Sequence, residues 1–244
     1  MTVRGKLYLL PSALSDAPSE AVFPVFNREL TARIKHYVVE NEKTARRFLK
    51  KLNPELVIQE LELYPLNKYT EPQDVESYLK PCQQGTDMIL LSDAGCPGVA
   101  DPGAAVVAIA HREQIEVVPL IGPSSILLAL MASGMDGQGF RFHGYLPRDN
   151  KPLKGALKEM ERVVLQSGHS QIFMETPYRN KNLLTFLIKE FPGNMELCIA
   201  CDITGDQQMI QTKTLQAWKK QLPDIQKKPC IFVLGKSQMH KKEK

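Results

Sequence analysis

Short apolar runs alternate with amphipathic stretches in the first half of the chain. Residues 42–52 place their apolar side chains (45, 48, 49 and 52) on one helical face, and residues 103–113 predict a helix of small residues. The predicted strands cover residues 6–10, 36–39, 57–64, 88–91 and 115–120. Strands that alternate with helices indicate an α/β domain with a mostly parallel sheet.

The pattern changes after the Gly-Pro pair at residues 122–123. The predicted helices there cover residues 124–132, 153–166 and 180–190, and the predicted strands cover 140–143, 171–175, 196–202, 208–213 and 229–234. The last strands follow one another with little helix between them, which favours antiparallel pairs and a mixed sheet. We therefore predict an N-terminal α/β domain (1–120), a C-terminal α/β domain (121–236) and a basic tail (237–244).

Net charge and hydropathy exclude few functional classes for this protein. The net charge is +4, and the tail from Lys236 onward contributes four lysines against one glutamate, so the body is nearly neutral and the charge alone gives little support for a nucleic-acid partner. No apolar run is long enough to cross a bilayer and no leader pattern follows the first residues, so we expect a cytoplasmic protein without a membrane partner.

The five cysteines include one CxxC pair, Cys198 and Cys201. This pair lies in a predicted strand, where residues three apart point to opposite faces and chelate poorly. No second pair or nearby histidine completes a zinc site. We therefore expect these cysteines to pack in the core and predict no metal site.

Several nucleotide-binding and hydrolytic signatures are missing. The first strand is followed by PSALSD at residues 11–16, without the glycines of a dinucleotide-binding turn. The sequence also contains no GxxxxGK[ST], HExxH or GxSxG motif. These absences disfavour NAD enzymes, P-loop NTPases, zincins and α/β hydrolases.

Two loops carry the candidate chemistry. Residues 92–103 read SDAGCPGVADPG directly after a predicted strand, where glycines let the backbone approach a ligand and prolines direct its path. A tight turn with a capping aspartate needs few of these residues, so a ligand cradle is the better interpretation. Residues 119–125 read PLIGPSS before a helix, which suits either a ligand contact or an ordinary cap.

With these loops, further motifs form an ordered set along nearly the whole chain. The set comprises KLYLLP at 6–11, SDAGCPG at 92–98 continuing to DPG at 101–103, IGPSS at 121–125, ASGM at 132–135, FRFHGYLP at 140–147 and ETPYR at 175–179. In order and spacing it resembles the tetrapyrrole methylase superfamily, and most closely the branch that methylates a ribose 2′-hydroxyl in small-subunit ribosomal RNA.

The resemblance implies a two-domain methylase with S-adenosylmethionine as methyl donor in the cleft between the domains, RNA as substrate, and a homodimer. It places donor contacts on loop backbone at Cys96, Val99, Ser125 and Ile126, and in the second domain near Met174, Ala200 and Pro229. The complete set of predicted donor-binding residues is Pro11, Asp93, Gly95, Cys96, Pro97, Gly98, Val99, Gly122, Ser124, Ser125, Ile126, Met174, Ala200 and Pro229.

Methyl transfer to a ribose hydroxyl calls for a base or an oriented acceptor. The candidate carboxylates are Asp93, Asp101, Glu40 and Glu175; we favour Asp93 as the catalytic residue, and structural roles for the others are equally open. We assign Glu40 and Arg179 to substrate binding, with Arg179 facing an anionic substrate or a carboxylate of the partner domain. The basic stretch 43–51 suits either RNA phosphates or a solvated helix face.

The chain departs from the family pattern mainly on the acceptor side. The glycine and asparagine expected after the first strand are absent, and the sequence reads ENEK at 40–43, PYR at 177–179 and DITG at 202–205, where the RNA branch has other residues. Two alternatives to RNA methylation therefore remain. The acceptor is a tetrapyrrole-like or other small molecule, or the protein binds the donor without catalysis.

Overall fold

The computed structural model describes residues 4–237, so all but the first residue of the predicted basic tail lies outside the described part. The chain divides into two compact units, the first ending at Ser124 and the second beginning at Ser125. Each unit is built on its own five-stranded sheet.

The first unit holds a fully parallel sheet. Its strands are β1 (Lys6–Leu10), β2 (His36–Val39), β3 (Glu62–Pro65), β4 (Met88–Leu91) and β5 (Glu116–Pro119). They lie in the order β3-β2-β4-β1-β5, and every neighbouring pair is parallel. Every residue of β4 is buried, as expected of a central strand covered on both faces.

Helices cover both faces of this sheet. They are α1 (Val25–Arg33), α2 (Glu42–Leu52), α3 (Pro72–Tyr78), α4 (Lys80–Gln83) and α5 (Ala104–Arg112). On one face α1 and α2 pack with Leu10 and Tyr37, and on the other α3, α4 and α5 pack with Leu7 and Met88. The strand period of two assigns alternate residues of each strand to the two cores.

The second unit holds a mixed sheet. Its strands are β6 (Phe140–Tyr145), β7 (Ser170–Glu175), β8 (Glu196–Cys201), β9 (Met209–Thr214) and β10 (Cys230–Gly235). The order is β6-β7-β10-β8-β9; β6 and β7 are parallel, and the other pairs are antiparallel. The predicted α/β class, with a parallel and a mixed sheet, is confirmed.

The helices of this unit are α6 (Ser125–Ser133), α7 (Asn150–Ser167), α8 (Asn180–Glu190) and α9 (Leu215–Lys220). One face of the sheet packs against α7, α8 and α9, with Phe173, Trp218 and Phe232 in that core. Helix α6 packs on β8, β9 and β10, where the Thr212 hydroxyl donates to the Ser133 carbonyl at 2.7 Å. Thr212 pairs with Cys198, which does not belong to the α7–α9 core, so α6 covers the other face.

The CxxC cysteines take opposite faces of β8, as the strand prediction requires. Cys201 belongs to the core under α7–α9 together with Cys230, whereas Cys198 points away from it. Both side chains are buried, so they pack. Within residues 4–237 no group of three or more His, Cys, Asp or Glu side chains is arranged to hold a metal ion.

One predicted strand was wrong in extent. Residues 57–64 form a 3₁₀ turn, Ile58–Glu60, before β3 begins at Glu62. The apolar residues of the run are separated by Gln59, Glu60 and Glu62, and only a short stretch pairs with β2. Four helices were not predicted: α1, α3, α4 and α9. Most of these are a single turn or two, and tertiary packing determines them more than apolar periodicity does.

Because the chain has a single tryptophan, Trp218, its fluorescence reports unfolding of the second unit. Phe232 is fully buried and its ring lies 5.5 Å from that of Phe173. We expect Phe232→Ala to lower the free energy of unfolding by about 3–5 kcal/mol, since it removes a ring and leaves a cavity. Urea titration followed by tryptophan emission measures this.

The control is Leu165→Ala, because Leu165 is 56% exposed on α7. Its change should be about 0.5 kcal/mol or less. Equal losses in the two variants would contradict the placement of Phe232 in the core.

Candidate functional site

The topology of the first unit creates a ligand-binding position at the carboxyl edge of its sheet. Strands β1 and β4 are neighbours; the chain passes β4 on its way from β1 to β2, and passes β1 on its way from β4 to β5. The helices of the two connections, α1 and α5, lie on opposite faces of the sheet. The chain thus reverses its direction of winding between these two strands, the usual ligand position in open parallel sheets.

The segments that follow β1 and β4 are joined by backbone hydrogen bonds. The Ser12 N–H donates to the Gly95 carbonyl at 2.8 Å, and the Gly95 N–H donates back to the Ser12 carbonyl at 3.2 Å. The Ser92 hydroxyl also donates to the Gly95 carbonyl, at 2.8 Å. Both serines are buried. Sequence reasoning missed them as site residues, although a hydroxyl within two residues of the end of a predicted strand was the available signal.

The loop 92–103 is held in a defined shape by its own residues. Gly95 and Gly98 have φ of +72° and +79°, in the region that favours glycine. One carboxylate oxygen of Asp101, Oδ1, accepts from the N–H groups of Gly98 at 2.6 Å and Gly103 at 2.8 Å. Burial raises the pKa of Asp101 and these two hydrogen bonds lower it. Asp101 therefore organises the loop.

Glu40 supports the start of the same loop. It follows β2, and its Oε2 accepts from the Asp93 N–H at 2.8 Å. Burial raises the pKa of Glu40 and this hydrogen bond lowers it. Burial also raises the pKa of Asp93, whose carboxylate has no hydrogen-bond partner among the described residues. Of the candidate bases in this unit, Asp93 alone is left with an unengaged carboxylate within the described chain.

The loop after β5 packs against the other two. A Cβ on Gly122 would lie 2.6 Å from the Cβ of Pro11, so only glycine fits there. The Cys96 thiol donates to the Pro123 carbonyl at 3.5 Å. The first unit thus brings together nine of the predicted donor-binding residues on three adjoining loops: Pro11, Asp93, Gly95, Cys96, Pro97, Gly98, Val99, Gly122 and Ser124.

In the second unit the predicted donor-binding residues fall on one face of the sheet. Ser125 and Ile126 begin α6, which packs on β8 and β10. Met174 and Ala200 both pair with Ile231, one on each side of β10, and all three point away from the α7–α9 core. Pro229 precedes β10, and its carbonyl accepts from the Asp202 N–H at 2.9 Å.

Arg179 has a carboxylate partner inside its own unit. Its Nη2 lies 3.3 Å from Oε2 of Glu175, a side chain that is almost fully buried. Oε1 of Glu175 accepts from the Thr176 N–H at 2.7 Å. Glu175 is thus engaged on both oxygens and fixes the turn between β7 and α8.

The described part of the chain also has a cavity of about 470 Å³ at the opposite, amino edge of the first sheet. Tyr8, Arg33, His36 and Asp87 lie in its wall, and none of the predicted site residues does. No helix between residues 4 and 237 is long and apolar enough to span a membrane.

This chain is similar in sequence to curated proteins that share one name. Ribosomal RNA small subunit methyltransferase I of Vibrio cholerae is 32% identical over 148 residues, covering 61% of this chain and 50% of that protein. The same-named protein of Buchnera aphidicola is 28% identical over 236 residues, covering 94% of this chain and 78% of that protein. The match to the Vibrio cholerae protein, like that to the Halalkalibacterium halodurans protein at 52%, spans only about half of the relative's length.

Solved structures share the fold at low sequence identity. The methyltransferase CobJ superposes with a TM-score of 0.62 at 18% identity, covering 96% of this chain and 95% of CobJ. Uroporphyrin-III C-methyltransferase of Thermus thermophilus, solved in complex with S-adenyl homocysteine, gives 0.57 at 15% identity, covering 96% of this chain and 98% of that protein.

The family model that describes tetrapyrrole (corrin/porphyrin) methylases matches residues 28–218. This range includes the loop 92–103, the loop after β5 and four of the five strands of the second sheet. With the joined loops at the β1–β4 edge, this match shows that the chain belongs to the tetrapyrrole methylase family.

Proposed function

We propose that this protein is a methyltransferase that moves the methyl group of S-adenosylmethionine to ribosomal RNA, at a ribose 2′-hydroxyl. The observation that carries the proposal is the reciprocal Ser12–Gly95 hydrogen bonding, which sets loop 92–103 at the switch point between β1 and β4. The names of the similar curated proteins support the RNA acceptor, and the family supports the methyl transfer.

The predicted donor-binding residues are the proposed donor contacts. In the first unit, positive φ at Gly95 and Gly98 exposes loop backbone that a polar ligand can approach closely. In the second, Ser125 and Ile126 at the start of α6, with Met174, Ala200 and Pro229, supply the further contacts. The donor set is mostly backbone and apolar surface, which suits the adenosine of the donor and the aliphatic part of its methionine chain.

The bound donor supplies an electrophilic methyl carbon on sulfur, so the chain has to orient the acceptor and accept one proton. Asp93 is the proposed base, because its carboxylate is unengaged within the described chain while its backbone is fixed by Glu40. Burial raises the pKa of Asp93, which makes its carboxylate a stronger proton acceptor.

Glu40 and Arg179 are the proposed substrate-binding residues. Glu40 lies beside Asp93 at the carboxyl edge. Arg179 keeps a one-third exposed side chain while Glu175 anchors it, so its remaining guanidinium donors face solvent and can meet an anion. We propose further that the protein acts in the cytoplasm as a homodimer; Leu127 and Met131, exposed one turn apart on α6, support association.

Methyl transfer from labelled S-adenosylmethionine tests the function. The purified chain is incubated separately with small-subunit ribosomal RNA and with a small-molecule extract that contains tetrapyrroles. We expect label in the RNA, resistant to alkaline cleavage at one position because the 2′-oxygen is blocked. Label in the small molecules alone would show that the acceptor is a small molecule and not RNA. Binding of S-adenosylmethionine without any methyl transfer would show a non-catalytic donor-binding protein.

Gly95→Val is expected to weaken S-adenosylmethionine binding by about 100-fold or more while the fold persists. A Cβ at this position has room, 3.6 Å from Leu14, but a β-branched residue does not hold φ of +72°. Isothermal titration measures the binding, and circular dichroism checks the fold.

Ala100→Gly is the matched control, because Ala100 lies in the same loop at φ of +62° and glycine relieves its strain. The control should bind the donor like the original chain. Wild-type affinity in Gly95→Val would show that this loop does not hold the donor.

Asp93→Asn should lower kcat by about 10²- to 10⁴-fold, the usual contribution of a general base. A base works when deprotonated, so kcat rises with pH through the pKa of Asp93, which burial places above its ordinary 3.8. This rise of kcat at acidic pH should disappear in Asp93→Asn. The control is Asp206→Asn, because Asp206 is an exposed aspartate of the second unit. If the pH dependence of kcat were unchanged in Asp93→Asn, a group other than Asp93 would be the base.

A further inference from the structure

Helix α2 presents a row of positive charge on the side opposite its core. Ala45, Phe48, Leu49 and Leu52 are buried against the sheet. Lys43, Arg47 and Lys50 are exposed at spacings of four and three residues, which place them on one side of a helix, about half a turn from the buried face. We call these three residues the α2 stripe.

The α2 stripe has no carboxylate partner among residues 4–237. Arg46, beside it, is neutralised by Glu42 at 2.6 Å, and Lys51 lies 3.8 Å from Asp16. The Lys50 Nζ donates to the Leu56 carbonyl at 3.1 Å, which holds the side chain in place and leaves its charge uncompensated.

Such a row is unfavourable for the helix by itself. Like charges four residues apart repel each other, and a helix that only faces solvent usually intersperses both signs. Helix α7 does so, with Arg162 paired to Glu159 of the same helix, and its Lys154 is paired to Glu190 of α8. In α2 the repulsion is left uncompensated by the described residues, so a bound polyanion would relieve it.

The α2 stripe begins at the candidate site. Glu40, whose carboxylate holds the Asp93 backbone, lies three residues before Lys43. Asn41 lies between them and accepts from the N–H groups of Lys43 at 2.9 Å and Thr44 at 3.1 Å, so the first turn of α2 is capped in a fixed position. From Lys43 to Lys50 the stripe then runs about 10 Å along the helix axis, away from the carboxyl edge.

We propose that the α2 stripe binds consecutive phosphates of the RNA acceptor and thereby guides the strand to the carboxyl edge of the first sheet. This inference rests on the proposed function, since an RNA acceptor supplies the polyanion. It also explains how a chain with a nearly neutral body binds RNA, because positive charge is concentrated on the α2 stripe beside the candidate site.

The salt dependence of RNA binding tests the proposal. The full chain is titrated with fragments of small-subunit ribosomal RNA between about 50 and 200 mM salt, the range over which released counterions change affinity most visibly. We expect the combined variant Lys43→Gln, Arg47→Gln, Lys50→Gln to reduce the slope of log affinity against log salt by about 2, roughly 0.7 for each lost contact to a single strand. The KM for RNA should rise about tenfold or more, with donor affinity unchanged.

A matched control removes the same charge elsewhere. Lys189, Lys219 and Lys220 are exposed lysines of α8 and α9, and their combined change to glutamine should leave the slope and the KM as they are. A third variant, Lys43→Arg, Arg47→Lys, Lys50→Arg, keeps the charge and should restore the slope. Glutamine is a good helix former, so α2 is expected to persist, and circular dichroism checks this.

Equal effects of the stripe and control variants, or no effect of either, would overturn the proposal. Its failure is distinguishable from that of the proposed function. If the original chain methylates RNA and the stripe variant keeps the same slope and KM, the inference alone fails. If the original chain transfers no methyl group to RNA, the proposed function fails, and the salt slope still decides whether the stripe binds RNA.

Discussion

The hydrogen-bonded pairing of β1 with β4 is the constraint on which the rest of the first unit depends. Because both strands run in the same direction and Leu10 pairs with Leu91, the segments that follow these two residues begin side by side. The two hydrogen bonds between Ser12 and Gly95 continue this pairing beyond the strands. Packing of Gly122 against Pro11 then adds the loop after β5. Three separate loops become one surface as a result.

The acidic residues of this surface divide into those that hold backbone and one that does not. One oxygen of Asp101 accepts from two N–H groups of its own loop, and Glu40, which follows a neighbouring strand, accepts from the Asp93 N–H. Partly buried carboxylates are stabilised by such partners, because a desolvated charge without hydrogen bonds is costly. Asp93 is more exposed and tolerates an unengaged carboxylate, which is also the state a base needs.

Helix α2 connects this edge to the protein surface. Its apolar side contributes Phe48 and Leu49 to the core shared with α1, so the helix is rigidly placed. Its first turn is capped by Asn41, one residue after Glu40. A helix placed and capped in this way presents its outer side chains in a fixed order relative to the loop. The same segment therefore serves the core on one side and carries uncompensated charge on the other.

Local pattern by itself determined the long amphipathic helix 42–52, the buried strands, the two-faced placement of Cys198 and Cys201, and the glycine-rich loop, since each follows from side-chain periodicity or backbone freedom. Local pattern did not determine the short helices, such as α4 and α9, or the end of the run 57–64. The roles of Ser12 and Glu40 were decided only by the tertiary structure. Each of the two depends on a partner that the sheet order brings close, and the periodicity of a single segment does not specify the strand order.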